Sequence, residues 1–192
     1  MHYTKITQID KGWSSYIWLA KDEKGKEVIL KEVREKSPRK DLCEREGKML
    51  ALANSVGVGP KLIEVNEKEN FVIMERINGQ EFLRWLNTKE FRGVTKNELY
   101  EFLKELYRQL LLLNTINLSH NQISGGRNIL VTELLNNKGE RKFIPTIIDF
   151  ETAKIKIPPK KTKNLGQAND YFFQNKFGFA AKKVREKLNL VF

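Results

Sequence analysis

Cysteine, histidine and long apolar runs are scarce in this sequence, and each scarcity excludes a class of protein. The single cysteine, Cys43, excludes an intramolecular disulfide and a cysteine-rich zinc site. The two histidines, His2 and His120, are too few for a histidine-based metal site. No stretch approaches the roughly 20 consecutive apolar residues of a membrane span, and the first residues contain no apolar signal-peptide core. We therefore expect a cytoplasmic protein without membrane contacts, disulfide or zinc.

Basic residues are in clear excess. The chain of 192 residues has 35 lysines and arginines against 24 acidic residues, which gives a formal net charge of +11. Such a charge favours phosphorylated, nucleic-acid or acidic protein partners. It is equally typical of a lysine-rich solvated surface, as in many thermophile proteins. With 40% hydrophobic and 31% charged residues, the composition is that of a soluble globular protein.

Residues 1–77 are predicted to form a β-rich N-terminal lobe. Alternating apolar residues at 16–19 and the apolar run at 27–33 are separated by a turn, and this pattern indicates a hairpin. Residues 61–65 and 71–77 are predicted to be two more strands. Together these segments predict a small antiparallel sheet.

One helix is expected between the second and third of these strands. Ser37 and Pro38 have the pattern of a helix N-cap followed by proline at the first helical position. The helix would end near Gly57. Its predicted inward-facing residues are Leu42, Met49, Leu50 and Ala53.

Residues 78–192 are predicted to form a smaller, mainly helical lobe. Thr95 and Glu98 have the spacing of a capping box, which marks a helix start. The apolar residues that follow recur at helical spacing: Leu99, Phe102, Leu103, Leu106, Leu110 and Leu113. Such a helix needs a core on its apolar side.

Two short strands and a helical tail complete the predicted C-terminal lobe. The strands are residues 128–135 and 143–150, joined by a hairpin turn at 136–139. The tail, 167–190, is predicted to be helical. Its partly buried residues would be Tyr171, Phe172, Phe179, Val184 and Leu188. The sequence therefore predicts an α+β protein whose two lobes enclose a cleft for a ligand.

Four polar residues occur in an order that suits nucleotide chemistry: Lys31, Glu46, Asn128 and Asp149. In kinases a strand lysine pairs with the ATP phosphates and is held by a helix glutamate. Glu46 is preferred to Glu44 as that partner because it precedes the apolar pair at 49–50 and should face the sheet. The alternatives are a lysine that reaches to solvent along an edge strand and a solvated helix carboxylate.

Two other segments are candidates for nucleotide contacts. A phosphate-binding turn between the first two strands would use Gly12 and the hydroxyls of Ser14 and Ser15, although the turn contains one glycine instead of three. At the end of the last strand of the N-lobe, Glu75 and Ile77 would offer a backbone carbonyl and N–H to an adenine edge. An ordinary turn and an ordinary strand end are the alternatives.

The loop before Asn128 decides the mechanism. Asn128 and Asp149 carry the amide and carboxylate oxygens that Mg²⁺ prefers, and without nucleotide Asp149 would pair with Lys31. Gln122 stands two residues after His120, where kinases place the catalytic aspartate. A glutamine cannot hold an abstracted proton, but it can orient an attacking water. Glu151 is a candidate substitute base or, alternatively, an ion-paired carboxylate. His120 is interpreted as structural.

With these residues, the chain resembles the small archaeal and RIO-like branch of the protein kinase superfamily, over about residues 10–155. It is similar to the compact kinase subunit of the tRNA threonylcarbamoyl-modification complex and its archaeal paralogues. The resemblance implies a two-lobed minimal protein-kinase-like fold, with ATP between the lobes and Mg²⁺ on Asn128 and Asp149. The departures are Gln122, a catalytic loop one residue longer than usual, Glu151 in place of a glycine, and no Ala-Pro-Glu segment.

Three functions are consistent with these features. The first is an atypical ATP-dependent serine/threonine kinase-like protein or ATPase with Mg²⁺. The second is a pseudokinase that acts as a scaffold or binding module for a protein partner. The third is a basic RNA- or ribosome-associated factor, which would use the lysine-rich stretch at 154–163. That stretch contains no interleaved aromatic residues, so it does not indicate a base-stacking surface.

Overall fold

An antiparallel sheet forms the N-terminal part of the computed structural model, which describes residues 2–37, 41–137, 139–157 and 161–190. Its five strands lie in the spatial order β1-β2-β3-β5-β4. They are β1 (Thr4–Lys11), β2 (Ser15–Lys21), β3 (Glu27–Val33), β4 (Leu62–Asn66) and β5 (Phe71–Glu75). The β2–β3 hairpin confirms the predicted one. The edge strand β1 was implied only by the turn expected between the first two strands, because all its residues are exposed and it has no apolar alternation.

Helix α1 (Leu42–Ser55) packs against this sheet. The residues predicted to face inward are all buried: Leu42, Met49, Leu50 and Ala53. The predicted start is wrong for Ser37, which lies outside the helix, and Pro38 lies outside the described residues. Asp41 precedes the first turn instead, without a side-chain capping hydrogen bond.

The second part of the chain is built around the long helix α4 (Lys96–Thr115). It is preceded by the short strand β6 (Gln80–Glu81) and by two single-turn helices, α2 (Phe82–Trp85) and α3 (Lys89–Arg92), which were not predicted. The predicted capping box is confirmed, because Thr95 Oγ1 accepts from Glu98 N–H and Glu98 Oε2 accepts from Thr95 N–H. All six predicted apolar residues of α4 are buried.

A β-hairpin lies against α4. Its strands, β8 (Ile129–Leu135) and β9 (Arg141–Ile147), pair with Ile129 opposite Ile147. The predicted strand 143–150 is therefore too long at its end, because Asp149 has φ +66° and cannot continue a strand. The turn at 136–139 is present, although Lys138 lies outside the described residues. The buried Gln109 of α4 donates from Nε2 to the Pro145 carbonyl at 2.8 Å.

Short strands and a broken helical tail complete the structure. Strands β7 (Leu118–Ser119) and β10 (Lys154–Ile155) pair with each other. The tail consists of α5 (Asn164–Asn169), a π-helical turn (Asp170–Gln174) and α6 (Phe179–Leu188). The prediction of one helical stretch is thus wrong at 175–178. Phe179 was predicted to be partly buried, but it stands at this break and is 42% exposed.

The architecture is the expected α+β arrangement. Within the part of the chain that the structure describes, no helix combines the length and the apolarity needed to cross a lipid bilayer.

Candidate functional site

The Lys31 ammonium is the centre of the site. Its Nζ lies 2.7 Å from Glu46 Oε2 and 2.7 Å from Asp149 Oδ1. A third carboxylate, that of Glu151, approaches to 3.3 Å. Lysine and aspartate are 118 residues apart in sequence. The structure therefore joins the two distant stretches that the sequence singled out.

Each member of this cluster is positioned by a different element. Lys31 lies in β3, where it pairs with Ile17 of β2 and Val72 of β5, so the lysine strand is flanked on both sides. Glu46 is on the buried face of α1, whereas Glu44 is exposed. The lysine side chain is 9% exposed and the Glu46 side chain 4%. Removal of either partner of a pair this well shielded from water would leave an uncompensated buried charge.

Electrostatics in the cluster favours one protonation state for the lysine. Burial disfavours the ammonium, but the carboxylates of Glu46, Asp149 and Glu151 outweigh burial and raise the pKa of Lys31 above its usual range. Lys31 is therefore a permanent cation.

The carboxylates respond differently from one another. Burial, together with the nearby charges of Asp149 and Glu151, raises the pKa of Glu46 to about 7 despite the ammonium. Burial also disfavours ionised Asp149, but the Lys31 charge and its hydrogen bond lower the pKa of that carboxyl. One ammonium among three carboxylates thus leaves a site with excess negative charge.

Asp149 has a strained backbone. Its φ of +66° lies in the left-handed region, which is uncommon for residues other than glycine. Phe150 anchors the next position, because it is 1% exposed and stacks edge-on against His120 with ring centroids 5.0 Å apart. A Cβ on Gly59 would lie 2.9 Å from the Phe150 ring, so the turn after α1 also closes on this ring. Such strain is typical of functional sites.

Asn128 lies beside Asp149 at the end of the β8–β9 hairpin. The Asn128 carbonyl accepts from Ile148 N–H at 3.0 Å, and Asp149 is the next residue. The Asn128 amide donates from Nδ2 to the Gln122 main-chain carbonyl at 3.3 Å and to Gln122 Oε1 at 3.2 Å. Donation through Nδ2 leaves the amide oxygen as the acceptor that a cation would use. Gln122 itself is exposed.

His120 is fully buried below this loop. Its Nε2 lies 2.9 Å from the Ile148 carbonyl, so Nε2 carries the proton, because a carbonyl can only accept. Nδ1 then accepts from Gln122 N–H at 3.4 Å. Burial lowers the pKa of His120, and the ring is neutral. Its role in the structure is to connect the Gln122 loop to the segment that carries Asp149.

Residues of the tail hold the same loop, and sequence reasoning missed them. Asn164 Oδ1 accepts from His120 N–H at 2.9 Å, and Gln167 Nε2 donates to the Asn121 carbonyl at 3.1 Å. Tyr171 presses against Gly126, where any Cβ would collide with the tyrosine hydroxyl. Gly126 has φ +64°, so it suits glycine for a second reason. No spacing in the sequence marks isolated amides of this kind.

The predicted phosphate turn is closed on itself. Gly12 N–H donates to the Ser15 carbonyl at 2.9 Å, and the Arg34 guanidinium donates to the carbonyls of Gly12 and Trp13. Ser14 and Ser15 are buried. Among the described residues, the Ser15 hydroxyl has no hydrogen-bond partner. Phosphate contacts from this turn would require it to open.

The predicted adenine-binding segment leaves the sheet at the end of β5. Glu75 N–H donates to the Lys61 carbonyl at 2.9 Å, and Gly79 N–H donates to the Ile77 carbonyl at 3.0 Å. An ion pair between Arg76 and Glu27 connects this segment to the start of β3. These hydrogen bonds engage the Glu75 N–H and the Ile77 carbonyl, and neither is one of the two groups predicted to bind an adenine edge.

The donor set around Asp149 suits a hard divalent cation. Carboxylate oxygens of Glu46, Asp149 and Glu151 lie within 4.8 Å of one another around the Lys31 ammonium, so a metal would have to draw Asp149 away from that ammonium. The Asp149 side chain is 30% exposed, so a ligand can reach it. Mg²⁺ prefers such oxygen ligands and keeps several waters when it binds. The residues present therefore fit this metal.

Comparisons of fold find two crystal structures of the Rio2 kinase from Chaetomium thermophilum. The ADP/Mg²⁺-phosphoaspartate complex superposes with a TM-score of 0.67 at 18% sequence identity over 98% of this chain. A second Rio2 structure gives a TM-score of 0.69 at 18% identity, again over 98% of this chain. The chain spans 62% and 59% of the length of those two Rio2 chains. Its fold is therefore that of a RIO-like protein kinase.

Comparisons of sequence find a relative, which is shorter than this chain. No protein-family model matches the chain. It is 32% identical over 117 residues to the uncharacterized protein MJ1211 of Methanocaldococcus jannaschii, and the match covers 61% of this chain and 84% of that protein. The chain therefore belongs to the same family as MJ1211.

Proposed function

We propose that this chain is an atypical, Mg²⁺-dependent ATP-binding protein that transfers or hydrolyses the terminal phosphoryl group of ATP. The observation that carries the proposal is the contact of Lys31 with both Glu46 and Asp149 at 2.7 Å. In protein kinases the strand lysine, its helix glutamate and the metal-binding aspartate must be in place together for phosphoryl transfer.

The nucleotide would extend from the segment after β5, residues 75–79, to Lys31. The Glu75 carbonyl and the Ile77 N–H would bind the adenine edge, and Lys31, held by Glu46, would bind phosphate oxygens. The turn of Gly12, Ser14 and Ser15 would open to cover the phosphates. This proposal retains the predicted division into an N-lobe of 1–77 and a C-lobe of 78–192.

Asn128 and Asp149 would hold the metal. Bound Mg²⁺ supplies neutralisation of phosphate charge. Asn128 presents its amide oxygen because its Nδ2 is engaged by Gln122. Asp149 keeps its carboxylate ionised through Lys31, whose ammonium lowers the pKa of that carboxyl against the opposing effect of burial.

Because the chain has no aspartate at position 122, we expect phosphoryl transfer to be slow. Gln122 would orient the attacking water or acceptor hydroxyl, and Glu151 is the predicted substitute base. The comparable Rio2 complex contains ADP, Mg²⁺ and a phosphoaspartate. Asp149 is therefore a further candidate acceptor: one of its oxygens would form a bond to the terminal phosphorus as the bond to ADP breaks, and water would hydrolyse the product. This route suits an ATPase.

The other two predicted functions remain alternatives. A pseudokinase scaffold would bind nucleotide without turnover and would act through a protein partner. An RNA- or ribosome-associated factor would depend on the lysines at 154–163, of which Lys160 lies outside the described residues. Relationship to the compact tRNA-modification kinases, archaeal type and cytoplasmic location likewise stay predictions.

Thermal unfolding with Mg²⁺-ATP tests the proposal. ATP at about 100 times its dissociation constant stabilises a protein by about 2.7 kcal/mol. For a chain of this size that corresponds to a rise of roughly 5–10 °C in Tm. Lys31→Ala and Asp149→Asn should abolish the rise, and asparagine tolerates the left-handed backbone at 149.

Lys104→Ala is the matched control, since Lys104 is an exposed lysine on α4 whose side chain is 63% exposed. It should shift with ATP as the parent protein does. If Mg²⁺-ATP leaves the Tm of the parent unchanged, the nucleotide-binding proposal is wrong.

A further inference from the structure

Helix α1 approaches the sheet closely at Gly47, the residue after Glu46. Gly47 is buried on the inner face of α1. A Cβ at this position would overlap Val65 Cγ2 of β4 and would lie 3.2 Å from Val65 Cγ1. Carbon atoms in contact normally stay about 3.5–4.0 Å apart. A side chain at position 47 therefore fits only if Val65 changes its rotamer or α1 moves away from the sheet.

A second small residue brings the same face of α1 close to the β4–β5 hairpin. Cys43 lies four residues before Gly47, so the two residues share one face of the helix. The buried Cys43 thiol donates to the Phe71 carbonyl at 3.1 Å. Phe71 lies opposite Asn66, the neighbour of Val65 in β4. Two positions one turn apart thus set the depth at which α1 lies on the sheet.

Val65 also belongs to the same row of the sheet as Lys31. Val65 is opposite Val72 of β5, and Val72 is opposite Lys31 of β3. Residues directly opposite each other in antiparallel strands point to the same face, so Val65 and Lys31 both face α1. Two strand spacings separate them, which is about 10 Å. Gly47 therefore rests on one end of the row whose other end Glu46 has to reach.

We propose that Gly47 is a positioning residue, which lets α1 lie deep enough on the sheet for Glu46 to hold Lys31. The inference rests on the proposed function for the role of that pair in phosphate binding, whereas the distance within the pair can be measured directly. If α1 moved to relieve the overlap with Val65, the movement would be about 1 Å. The Glu46–Lys31 contact of 2.7 Å would then exceed the usual range of a hydrogen bond.

A glycine in the interior of α1 has no local advantage. Relative to alanine, a glycine inside a helix lowers the folding equilibrium constant by about five-fold. Gly166 of α5 provides a matched comparison, since it is helical and exposed, and a Cβ there would meet no packing neighbour within 4 Å. What distinguishes Gly47 from Gly166 is the contact with the sheet.

Titration calorimetry with Mg²⁺-ATP and crystal structures of the variants test the proposal. Gly47→Ala should bind at least about ten-fold more weakly than the parent, because a displacement of about 1 Å at a binding group can cost up to about 100-fold. In its structure, Glu46 should lie more than about 3.5 Å from Lys31 Nζ. Gly166→Ala should bind as the parent does, and its Tm should rise by a few degrees.

Val65→Ala provides the rescue. A Cβ at position 47 would lie 3.4 Å from Val65 Cβ, which is an ordinary contact, so removal of both Cγ atoms makes room for it. Gly47→Ala/Val65→Ala should therefore regain the short Glu46–Lys31 contact and bind within about three-fold of the parent. Val65→Ala alone should also bind within about three-fold of the parent, although it lowers stability. A general loss of stability would not be reversed by a second destabilising substitution.

The outcomes separate this role from its alternatives. If Gly47→Ala keeps the 2.7 Å contact, whatever its affinity, Val65 has changed its rotamer, and the proposal is overturned while the proposed function stands. An equal loss of affinity in Gly47→Ala and in the double variant overturns it as well. If Gly47→Ala does not fold, the double variant decides: binding like the parent supports the proposal, and failure to fold or to bind overturns it.

A parent protein that does not bind Mg²⁺-ATP overturns the proposed function, and the crystal structures then decide the positioning role alone. A Glu46–Lys31 contact that is broken in Gly47→Ala and restored in Gly47→Ala/Val65→Ala supports it. A contact that is the same in both structures overturns it.

Discussion

The surroundings of Lys31 and the loop that carries Gln122 would have to act on the same phosphate, yet they are built in opposite ways. Lys31 and Glu46 are shielded like core residues, with side chains 9% and 4% exposed. Gln122 is exposed, and its contacts are to Asn128 and His120 within the loop and its base. The Lys31 cluster has more negative charge than one ammonium can balance. The Gln122 loop, in contrast, lacks the carboxylate that kinases place there. Anchoring a phosphate and activating its acceptor are thus separable properties in this chain.

Removing the charge of Lys31 should cause the largest loss of stability, since it breaks all the ion pairs around this residue. Lys31→Met leaves three carboxylates without their cation, and loss of one partner of a buried ion pair costs about 3–5 kcal/mol. Urea unfolding of the free protein measures this loss. Lys104→Met, at an exposed position of α4, should change the free energy of unfolding by less than about 0.5 kcal/mol.

A double variant sharpens the same measurement. Adding Glu46→Leu to Lys31→Met removes the most deeply buried of the stranded carboxylates, so part of the lost stability should return. A loss below about 1 kcal/mol in Lys31→Met would mean that the cluster is not the rigid anchor described above.

Restoring a carboxylate to the sparsely charged region should give an intermediate effect. Gln122→Asp provides a general base, which can be worth roughly 10² to 10⁴-fold in other enzymes. The loop to Asn128 is one residue longer than in ordinary kinases, so we expect a smaller gain, about ten-fold in ATP hydrolysis or autophosphorylation. Release of labelled phosphate measures it.

Gln122→Asn is the matched control, because it keeps the amide and adds no base. It should not raise turnover. Turnover that is unchanged or lower in Gln122→Asp would show that position 122 does not stand in for an aspartate.

The smallest effect concerns His120, which connects the two regions. Burial lowers its pKa in the folded state, while the unfolded chain keeps a value near about 6.5. Below that pH the unfolded chain takes up a proton that the folded protein resists, so the contribution of His120 to stability falls as the pH drops. Between pH 6.5 and 5.5 this contribution should fall by at most about 1 kcal/mol.

Unfolding at these two pH values measures this term. It should be absent in His120→Gln, whatever that substitution costs at neutral pH. His2→Gln is the control, since His2 is the other histidine and is exposed. An equal change in pH dependence in both variants would contradict the assignment.

Periodic and chemically distinctive features were predictable from the sequence. The β2–β3 hairpin, the apolar face of α1 and the capped helix α4 follow from alternation, helical spacing and the Thr95–Glu98 pair. The approach of Lys31 to Glu46 and Asp149 also has the predicted form, including the pairing of Asp149 with Lys31 in the absence of nucleotide. The roles of these residues in binding ATP and metal stay predictions.

Features that depend on tertiary contacts were not predictable. Strand β1 is exposed along its whole length and is fixed by pairing with β2. Nothing in the local pattern indicates that Asp149 leaves the strand with a positive φ, or that the tail is interrupted before Phe179. Glu151 was considered as a base or an ion-paired carboxylate, and only its distance to Lys31 links it to the ammonium.

The contact of Tyr171 with Gly126 has a practical consequence for anyone who shortens this protein. Because the Tyr171 ring fills the space beside Gly126, which cannot carry a side chain, the tail fixes the conformation of the Gln122 loop. Truncation before the π-helical turn would remove both Tyr171 and α6. Trimmed versions for crystallisation or binding assays should therefore retain the chain through Leu188, or they will report on a loop that has lost its shape.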